Sequence, residues 1–291
     1  MKMDIRAISM GVVFAFLWSS AFATARIIVA DAPPLMALSA RFLISGLLAV
    51  TVARALGQSW RLTGAKWRAT VIFGLCQNGL YLGLNFVAMQ RIEASLAAII
   101  ASTMPLLVAA LGWTFLGQRV GRLGVAGLVA GLLGVALIMG TRIEGGAWLP
   151  GILACGIGAL ALAVATLLVK GATSGGNLLM VVGLQMLVGA TILGLISAVG
   201  ETWFLRWSWE WGAAFVYQLL FPGLMATMIW FSLVGRIGAV RASTFHFLNP
   251  FFGVAVAAVL LGEQVRGLDL LGVGIVMAGI LAVQMSRQAQ A

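Results

Sequence analysis

RIGAVRASTFHFLNPFFGVAVAAVLLGE, from Arg236 to Glu263, is the second occurrence of an outline that this chain already contains 145 residues earlier. The first occurrence is RIEASLAAIIASTMPLLVAALGWTFLGQ, from Arg91 to Gln118. The shared register continues past both stretches without a gap, and pairs Pro105 with Pro250, Gly117 with Gly262, Gly127 with Gly272 and Gly134 with Gly279. A single offset held over about forty residues predicts a duplicated unit.

The composition places this duplicated unit in a lipid bilayer. The 291 residues are 62 % hydrophobic and 9 % charged, whereas about a quarter of the residues of a soluble domain are charged. Continuous apolar runs of about 20 residues favour membrane-spanning helices, because the strands of a membrane barrel are half as long and alternate in polarity. The sequence therefore predicts an all-α polytopic membrane protein with spans at 7–29, 34–56, 67–89, 93–116, 121–141, 148–170, 177–200, 210–234, 239–262 and 267–287.

The net charge of +10 raises the question of a nucleic-acid partner, and the distribution of the charges answers it. If the N-terminus is cytoplasmic, that side has the single acid Asp4 and twelve of the 18 bases: Lys2, Arg6, Arg54, Arg61, Lys66, Arg68, Arg119, Arg122, Lys170, Arg236, Arg241 and Arg287. The other side collects Arg26, Arg91, Arg142, Arg206 and Arg266, with Asp31, Glu93, Glu144, Glu201, Glu210, Glu263 and Asp269. This asymmetry is the positive-inside bias, so we expect a lipid bilayer as the partner and no nucleic acid.

The number of spans in each copy predicts the topology. Five is odd, so the second copy enters the membrane inverted relative to the first. We predict two five-helix repeats, residues 1–145 and 146–291, with both termini in the cytoplasm. Inverted repeats place a substrate site near the membrane midplane between the copies and permit alternating access.

Polar residues inside the spans are the candidates for substrate contact. Asn78, Tyr81 and Asn85 share one face of the third span, which predicts either interhelical hydrogen bonds or the lining of a cavity. Arg41, about two turns into the second span, predicts either a structural ion pair or carbonyl contact, or a contact with substrate.

Around the second copy's proline, Ser243, His246 and Asn249 are polar where the first copy has Ala98, Ala101 and Met104. His246 is the only histidine, and it is either a proton carrier or a hydrogen-bonded packing residue.

Three prolines predict helix breaks that can act in gating. Pro105 and Pro250 occupy equivalent positions in the two copies, and Pro222 lies in a span whose counterpart carries Asn78. A proline inside a span removes a backbone hydrogen bond and exposes polar backbone that has to face protein or water.

The residues that the spans lack limit the substrate. All eight acids lie at span ends, so no carboxylate inside the membrane would hold a cation or carry a coupled proton or sodium ion. The spans also lack the clusters of basic residues that phosphate esters need, and the histidine and cysteine content gives no metal site. We therefore expect an amino-acid-like neutral or zwitterionic substrate, facilitated export, no cofactor and no metal.

Four stretches resemble the EamA-type transporters of the drug/metabolite transporter superfamily, most closely the bacterial aromatic amino acid exporters. They are FLWSSAF, PPLMALSARF, YLGLNFVAMQRIEASLAAIIASTMPLLVAAL and RASTFHFLNPFFGVAVAAVLLGE. The resemblance covers both halves and implies a central cavity among helices 1, 3, 4, 6, 8 and 9, which adds Trp18 to the candidates. It also implies efflux across the bacterial inner membrane. One departure is Gln118, where the family usually has an acid such as Glu263.

The sequence predicts an inner-membrane exporter of amino acids, with a preference for aromatic or apolar ones. The alternative is a broad-specificity drug or metabolite exporter, with or without proton coupling. An intramembrane enzyme is disfavoured because the spans hold no nucleophile, base or metal constellation. The glycines of the fifth and tenth spans predict close helix packing or a dimer face, so either a monomer or a homodimer is expected.

Overall fold

The computed structural model describes residues 5–117, 119–144, 146–168, 177–237, 242 and 244–288. Every regular element within these ranges is helical, which confirms the all-α prediction for them. The helices are α1 Ile5–Asp31, α2 Pro34–Ala55, α3 Gly64–Ala88, α4 Ala94–Phe115, α5 Arg122–Glu144, α6 Leu149–Leu168, α7 Leu178–Gly200, α8 Trp209–Ile237, α9 Phe245–Leu261 and α10 Gly267–Gln288. Over the described residues, all but α9 are long and apolar enough to cross a bilayer. The predicted ninth span, 239–262, begins outside the described ranges.

Two glycines end helices at equivalent places in the two copies. Gly117 follows the last turn of α4 with a φ of 61°, and Gly262 follows α9 with a φ of 67°. This left-handed conformation is costly for residues with a Cβ, so glycine is the residue that terminates a helix in this way. The repeat thus specifies where both helices stop.

Four helices are interrupted, again at positions that the repeat offset relates. In α3 a π-helical stretch runs over Gly74–Leu82, and in α8 a second one runs over Leu219–Met225 and contains Pro222. In α4 the helix stops at Ala101 and restarts at Met104 beside Pro105, and in α9 a 3₁₀ turn, Thr244–Leu248, leads into Pro250. The matched breaks leave backbone groups without regular helical partners near the middle of each span.

The helices divide into two compact units that do not follow the halves of the sequence. The first unit comprises Met1–Ala23, Arg91–Ile152 and Met225–Ala291, and the second comprises Thr24–Gln90 and Leu153–Leu224. The helices α1, α6 and α8 each contribute a segment to both units. The division into repeats at 1–145 and 146–291 stays a prediction from the sequence.

The first unit is built on two closely packed helix pairs. A Cβ on Gly279 of α10 would lie 2.6 Å from the backbone of Gly131, and one on Gly134 would lie 3.0 Å from the carbonyl oxygen of Gly272. The glycine stripe therefore serves close packing between α5 and α10, as one of the two sequence interpretations predicts. In the α4 and α9 pair, the Glu263 carboxylate accepts hydrogen bonds from the backbone N–H groups of Ala94 (2.7 Å) and Ser95 (3.0 Å) at the start of α4.

The second unit repeats this design with α2 and α7. A Cβ on Gly183 would lie 3.0 Å from the carbonyl oxygen of Gly46, so these backbones are also in direct contact. The Glu201 carboxylate accepts hydrogen bonds at 2.9 Å from the N–H groups of both Leu35 and Met36 at the start of α2. At the opposite end of the pair, Gln58 Oε1 accepts from the N–H of Met180 at 3.0 Å.

These contacts join the end of one helix to the start of its repeat counterpart, so α2 with α7 and α4 with α9 run antiparallel. Antiparallel packing of counterpart helices is what an inverted duplication predicts. The inversion of the complete halves and the cytoplasmic position of both termini stay predictions.

Candidate functional site

The first unit contains a cluster of aromatic rings on α1, α8 and α9, which we call the aromatic cluster: Phe14, Trp18, Trp230 and His246. The Phe14 ring lies 4.9 Å from Trp230, 5.3 Å from His246 and 5.7 Å from Trp18, measured between ring centroids. Trp230 and His246 meet edge to face at 5.0 Å. These separations are those of favourable aromatic pairs, and the three rings other than Phe14 are only half-buried.

Local helix geometry assembles the aromatic cluster. Phe14 and Trp18 are four residues apart in α1, so their side chains lie on one helix face. His246 lies in the 3₁₀ turn before Pro250, where the tighter backbone replaces the regular helix. The proline break therefore sets where the histidine ring lies relative to α1.

Polar groups lie next to the same break. Ser19 Oγ donates a hydrogen bond of 3.2 Å to the backbone carbonyl of Asn249, an acceptor that the interrupted helix leaves available. Asn249 is 6 % exposed, and its side-chain Oδ1 has no hydrogen-bond partner. A buried amide oxygen without a partner is unfavourable, so this group can accept a donor from a ligand.

The second unit holds the predicted polar face of α3. Asn78 Nδ2 donates to the carbonyl of Gln185 in α7 at 2.9 Å, and Asn85 Nδ2 donates to the carbonyl of Tyr81 at 2.7 Å. Asn78, Tyr81 and Asn85 are all buried, and Asn85 Oδ1 has no partner. The Asn78 bond is an interhelical bond, as one of the two sequence interpretations predicts, and a role for these residues in lining a cavity stays a prediction.

The structure thus brings together some of the predicted site residues within each unit. Trp18, His246 and Asn249 are neighbours in the first unit, with Pro105 and Pro250 at the helix breaks of α4 and α9. Asn78, Tyr81, Asn85 and Pro222 belong to the second unit. Ser243 lies outside the described residues, as does Gln118, so the structure adds nothing to the predictions made for them.

Two members of the aromatic cluster, Phe14 and Trp230, are absent from the sequence-based candidates. Both had a signal in the sequence: Phe14 is one helical turn from Trp18, and Trp230 lies at the repeat offset from Asn85. Aromatic residues are common in apolar spans, so each of these relations by itself is too weak a signal to select Phe14 or Trp230 as a site residue.

The arrangement offers contacts that can bind a ligand. Among the described residues, no three His, Cys, Asp or Glu side chains come close enough to hold a metal ion. The aromatic cluster offers ring faces and edges, and Asn249 offers an acceptor. Roles for His246 in proton transfer and for the three prolines in gating stay predictions.

The apolar helices described above make the chain a multi-pass membrane protein, and comparisons with known proteins define its family. A profile of the EamA-like transporter family matches residues 5–140 and matches again at residues 149–285. The chain belongs to the EamA-like transporter family. The two matches cover both copies of the repeat, in agreement with the resemblance to EamA-type transporters that the sequence shows in both halves.

Several curated relatives are similar along most of their length. The uncharacterized transporter YvbV of Bacillus subtilis is 28 % identical over 94 % of this chain and 90 % of its own. The uncharacterized inner membrane transporter YedA of Escherichia coli K12 is 25 % identical over 95 % and 90 %. Protein PecM of Dickeya dadantii is 26 % identical over 90 % and 86 %. The first two names specify transport, and none of the three names a substrate.

A solved crystal structure has the same fold. It superposes with a TM-score of 0.72 and covers 98 % of this chain and 99 % of its own, at 21 % sequence identity. The family and the multi-pass fold predicted from the sequence are therefore confirmed. The preference for aromatic amino acids stays a prediction.

Proposed function

We propose that this protein exports small amino-acid-like metabolites across the inner membrane, with a preference for aromatic and apolar amino acids. Transport proceeds by alternating access to a central cavity between the two repeats, as expected of inverted repeats with interrupted helices. The observation that carries the substrate preference is the aromatic cluster. An aromatic substrate ring that packs against Trp18, Trp230 or His246 gains about 0.5–1.5 kcal/mol beyond its area of burial.

The polar groups beside the aromatic cluster fit the other end of such a substrate. The unpartnered Oδ1 of Asn249 can accept a hydrogen bond from an ammonium group, which is a strong donor. An amide suffices for this contact in a site that has no carboxylate, and a ligand that lacks the donor would leave the buried oxygen unsatisfied.

We further propose that export is facilitated by the substrate gradient. All acids of the chain lie at span ends, so no carboxylate within the membrane is available to carry a coupled proton. Collapsing the proton gradient across vesicles, with the substrate gradient unchanged, should leave net flux unaltered. Loss of flux under that treatment contradicts facilitated export and favours proton coupling through His246.

The main experiment is efflux of labelled solutes from proteoliposomes that contain the purified full chain. We expect efflux of phenylalanine and tryptophan to exceed that of alanine and of unrelated cationic drugs. Equal efflux of amino acids and drugs would support the broad-specificity exporter, and release of drugs alone would exclude the amino acid assignment.

A matched pair of variants tests the aromatic cluster. Trp230→Leu removes a ring that contacts both Phe14 and His246, and Trp113→Leu removes a ring that is 45 % exposed on α4, in the same unit. We expect Trp230→Leu to raise the half-saturating phenylalanine concentration about threefold to tenfold, the equivalent of one aromatic contact, with little change for alanine. Trp113→Leu should change neither value. Equal effects of both variants would remove the aromatic cluster from the site.

A further inference from the structure

The connection between α7 and α8, in the second unit, has an exposed apolar surface that the proposed function does not involve. It comprises residues 201–208, ETWFLRWS, which form no regular structure, and Trp209 at the start of α8. Three tryptophans in it are 60, 69 and 79 % exposed, and a phenylalanine and a leucine are exposed as well. We call these five residues the aromatic loop surface: Trp203, Phe204, Leu205, Trp207 and Trp209.

The size of the aromatic loop surface indicates that it contacts something other than water. At the usual area of a tryptophan side chain, its three indoles alone expose about 300–500 Å². Single apolar residues scattered over a protein surface are ordinary, but a contiguous patch of this size marks contact with a membrane or with another protein. The surroundings of the loop decide between these two partners.

Hydrogen bonds hold the loop in place although it has no regular structure. The N–H of Arg206 donates to the carbonyl of Asp31, the last residue of α1, at 2.9 Å. The indole N–H of Trp203 donates to the carbonyl of Ser197 in α7 at 3.3 Å, and Ser197 Oγ donates to the Glu201 carboxylate at 2.7 Å. The loop is thus fastened to the ends of α1 and α7 while its indoles stay exposed.

The aromatic loop surface is continuous with exposed apolar residues of the two helices that it joins. Leu195, Ile196 and Val199 near the end of α7 are exposed, and so is Val216 near the start of α8. Exposed apolar residues on the spans of a multi-pass membrane protein face lipid. The aromatic loop surface therefore lies where the lipid-facing surface reaches the end of the spans, and this continuity favours the membrane as its partner.

The backbone of the loop limits how deep it can lie. Irregular backbone that faces lipid is not tolerated in the hydrocarbon core, because its polar groups find no partners there. The headgroup region offers water and phosphate groups, and tryptophan is enriched at this depth because an indole is apolar with one polar N–H. Arg206 is the only base from Glu201 to Glu210, and a long basic side chain can extend from apolar surroundings to the phosphates.

The repeat supplies a more polar counterpart of this loop in the same unit. Thr63 precedes Ser208 by the repeat offset, and each caps the helix that follows by accepting from the N–H three residues later, at 3.4 and 3.0 Å. The counterpart loop, residues 56–63, LGQSWRLT, lies at the opposite end of the α2 and α7 pair and has one tryptophan, Trp60. Two loops in equivalent positions thus differ in aromatic content.

We propose that the aromatic loop surface is a membrane anchor that inserts into the lipid headgroup region at the end of α7. Its indoles lie at the boundary with the acyl chains, and Arg206 reaches the phosphate groups. Zwitterionic lipid suffices as the partner, because the loop lacks the cluster of bases that recognition of anionic lipid requires. The counterpart loop lies closer to bulk water. The anchor holds this end of the second unit at the membrane surface whatever the transported substrate is.

Spin labels at a matched pair of positions measure the depth of both loops in phosphatidylcholine vesicles that contain the full chain. Leu205 and Trp60 are related by the repeat offset and are 49 and 52 % exposed. Each is replaced by cysteine after the native thiols are removed by Cys76→Ala and Cys155→Ala. Oxygen concentrates in the bilayer, whereas a nickel chelate stays in water. We expect the ratio of oxygen to nickel collision rates to be at least about threefold higher at position 205 than at position 60.

Two results of the labelling experiment would overturn the proposal. Equal ratios at the two positions, with the nickel chelate reaching both labels, would mean that the aromatic loop surface lies in water. A label at position 205 that neither reagent reaches would mean that protein covers the surface. Light scattering that detects a dimer would then identify the covering protein as a second copy of the chain.

Tryptophan fluorescence tests the same proposal without a label. The combined variant Trp207→Phe and Trp209→Phe removes the two most exposed indoles of the surface, and Trp60→Phe is the control in the counterpart loop. In vesicles of phosphatidylcholine brominated near the headgroup end of its acyl chains, we expect the combined variant to show a smaller quenched fraction than the unmodified chain. Trp60→Phe should keep that fraction. Equal quenched fractions in all three proteins would overturn the proposal, even if the labelled variants fail to fold.

Discussion

The two units share a scaffold and differ in the side chains that it holds. Each has a helix pair with backbones in contact at glycines and a carboxylate that caps a helix start, Glu263 in the first unit and Glu201 in the second. In the first unit the glycines belong to α5 and α10 and the cap joins α9 to α4, whereas in the second unit α2 and α7 have both. The first unit presents the aromatic cluster, whereas the second presents amides and Arg41. The two units are therefore alike in how their helices pack and differ in the side chains that can contact a ligand.

The largest effect is expected where backbones touch. Gly279→Leu in α10 and Gly183→Leu in α7 would each place a side chain less than 3 Å from backbone atoms of the partner helix. We expect each to destabilise the fold by more than about 3 kcal/mol, the upper range for overpacked cores, and to abolish monodisperse protein in detergent. The control is Gly274→Leu, since a Cβ there meets no atom within 4 Å. Tolerance of one substitution but not the other would show that the units differ in scaffold as well.

An intermediate effect is expected at the two capping carboxylates. Glu201 accepts three hydrogen bonds and Glu263 accepts two, and helix caps contribute about 0.5–2 kcal/mol. Glu201→Ala should lower the free energy of unfolding by about 2 kcal/mol and Glu263→Ala by about 1 kcal/mol, as measured by denaturant titration in mixed micelles. A reversed order would mean that the cap in the first unit does more than stabilise a helix end.

The smallest effect on stability is expected at Asn78. Its hydrogen bond to Gln185 is one polar contact between membrane helices, and such contacts average about 0.6 kcal/mol. Asn78→Ala should therefore lower the unfolding midpoint only slightly, with phenylalanine efflux normalised to folded protein as the second measurement. Unchanged efflux makes Asn78 a packing residue; a loss of more than about tenfold, equivalent to 1.4 kcal/mol, makes it a residue of the transport pathway.

The breaks and ends of the helices were largely predictable from the sequence because the repeat places the same proline or glycine at equivalent positions in both copies. Pro105 and Pro250 share one offset, as do Gly117 and Gly262, and the structure interrupts or ends a helix at all four. Such residues act on their own backbone, so their effect is local and can be predicted without knowledge of neighbours.

The candidate site was predictable only in part because it depends on contacts between distant segments. Arg41 Nη1 donates to Gln218 Oε1 at 2.6 Å, but the two residues are 177 residues apart and unrelated by the repeat offset, so no pattern in the sequence joins them. Trp230 and His246 meet because a 3₁₀ turn replaces the regular helix. The sequence identifies Arg41 as unusual, but its partner follows from the packing of α1, α2 and α8.

The paired π-helical stretches of α3 and α8 mark places where the length of the chain can change. A π-helical turn holds one more residue than an α-helical turn, so deleting one residue within Gly74–Leu82 can restore a regular helix without a new loop. Asn85 and the rest of the helix beyond the deletion would then keep their facing relative to Gly64, because the wider turn had accommodated the extra residue. Single-residue insertions and deletions in these two stretches are thus changes of length that α3 and α8 can absorb while the rest of each helix keeps its facing and its place in the bilayer.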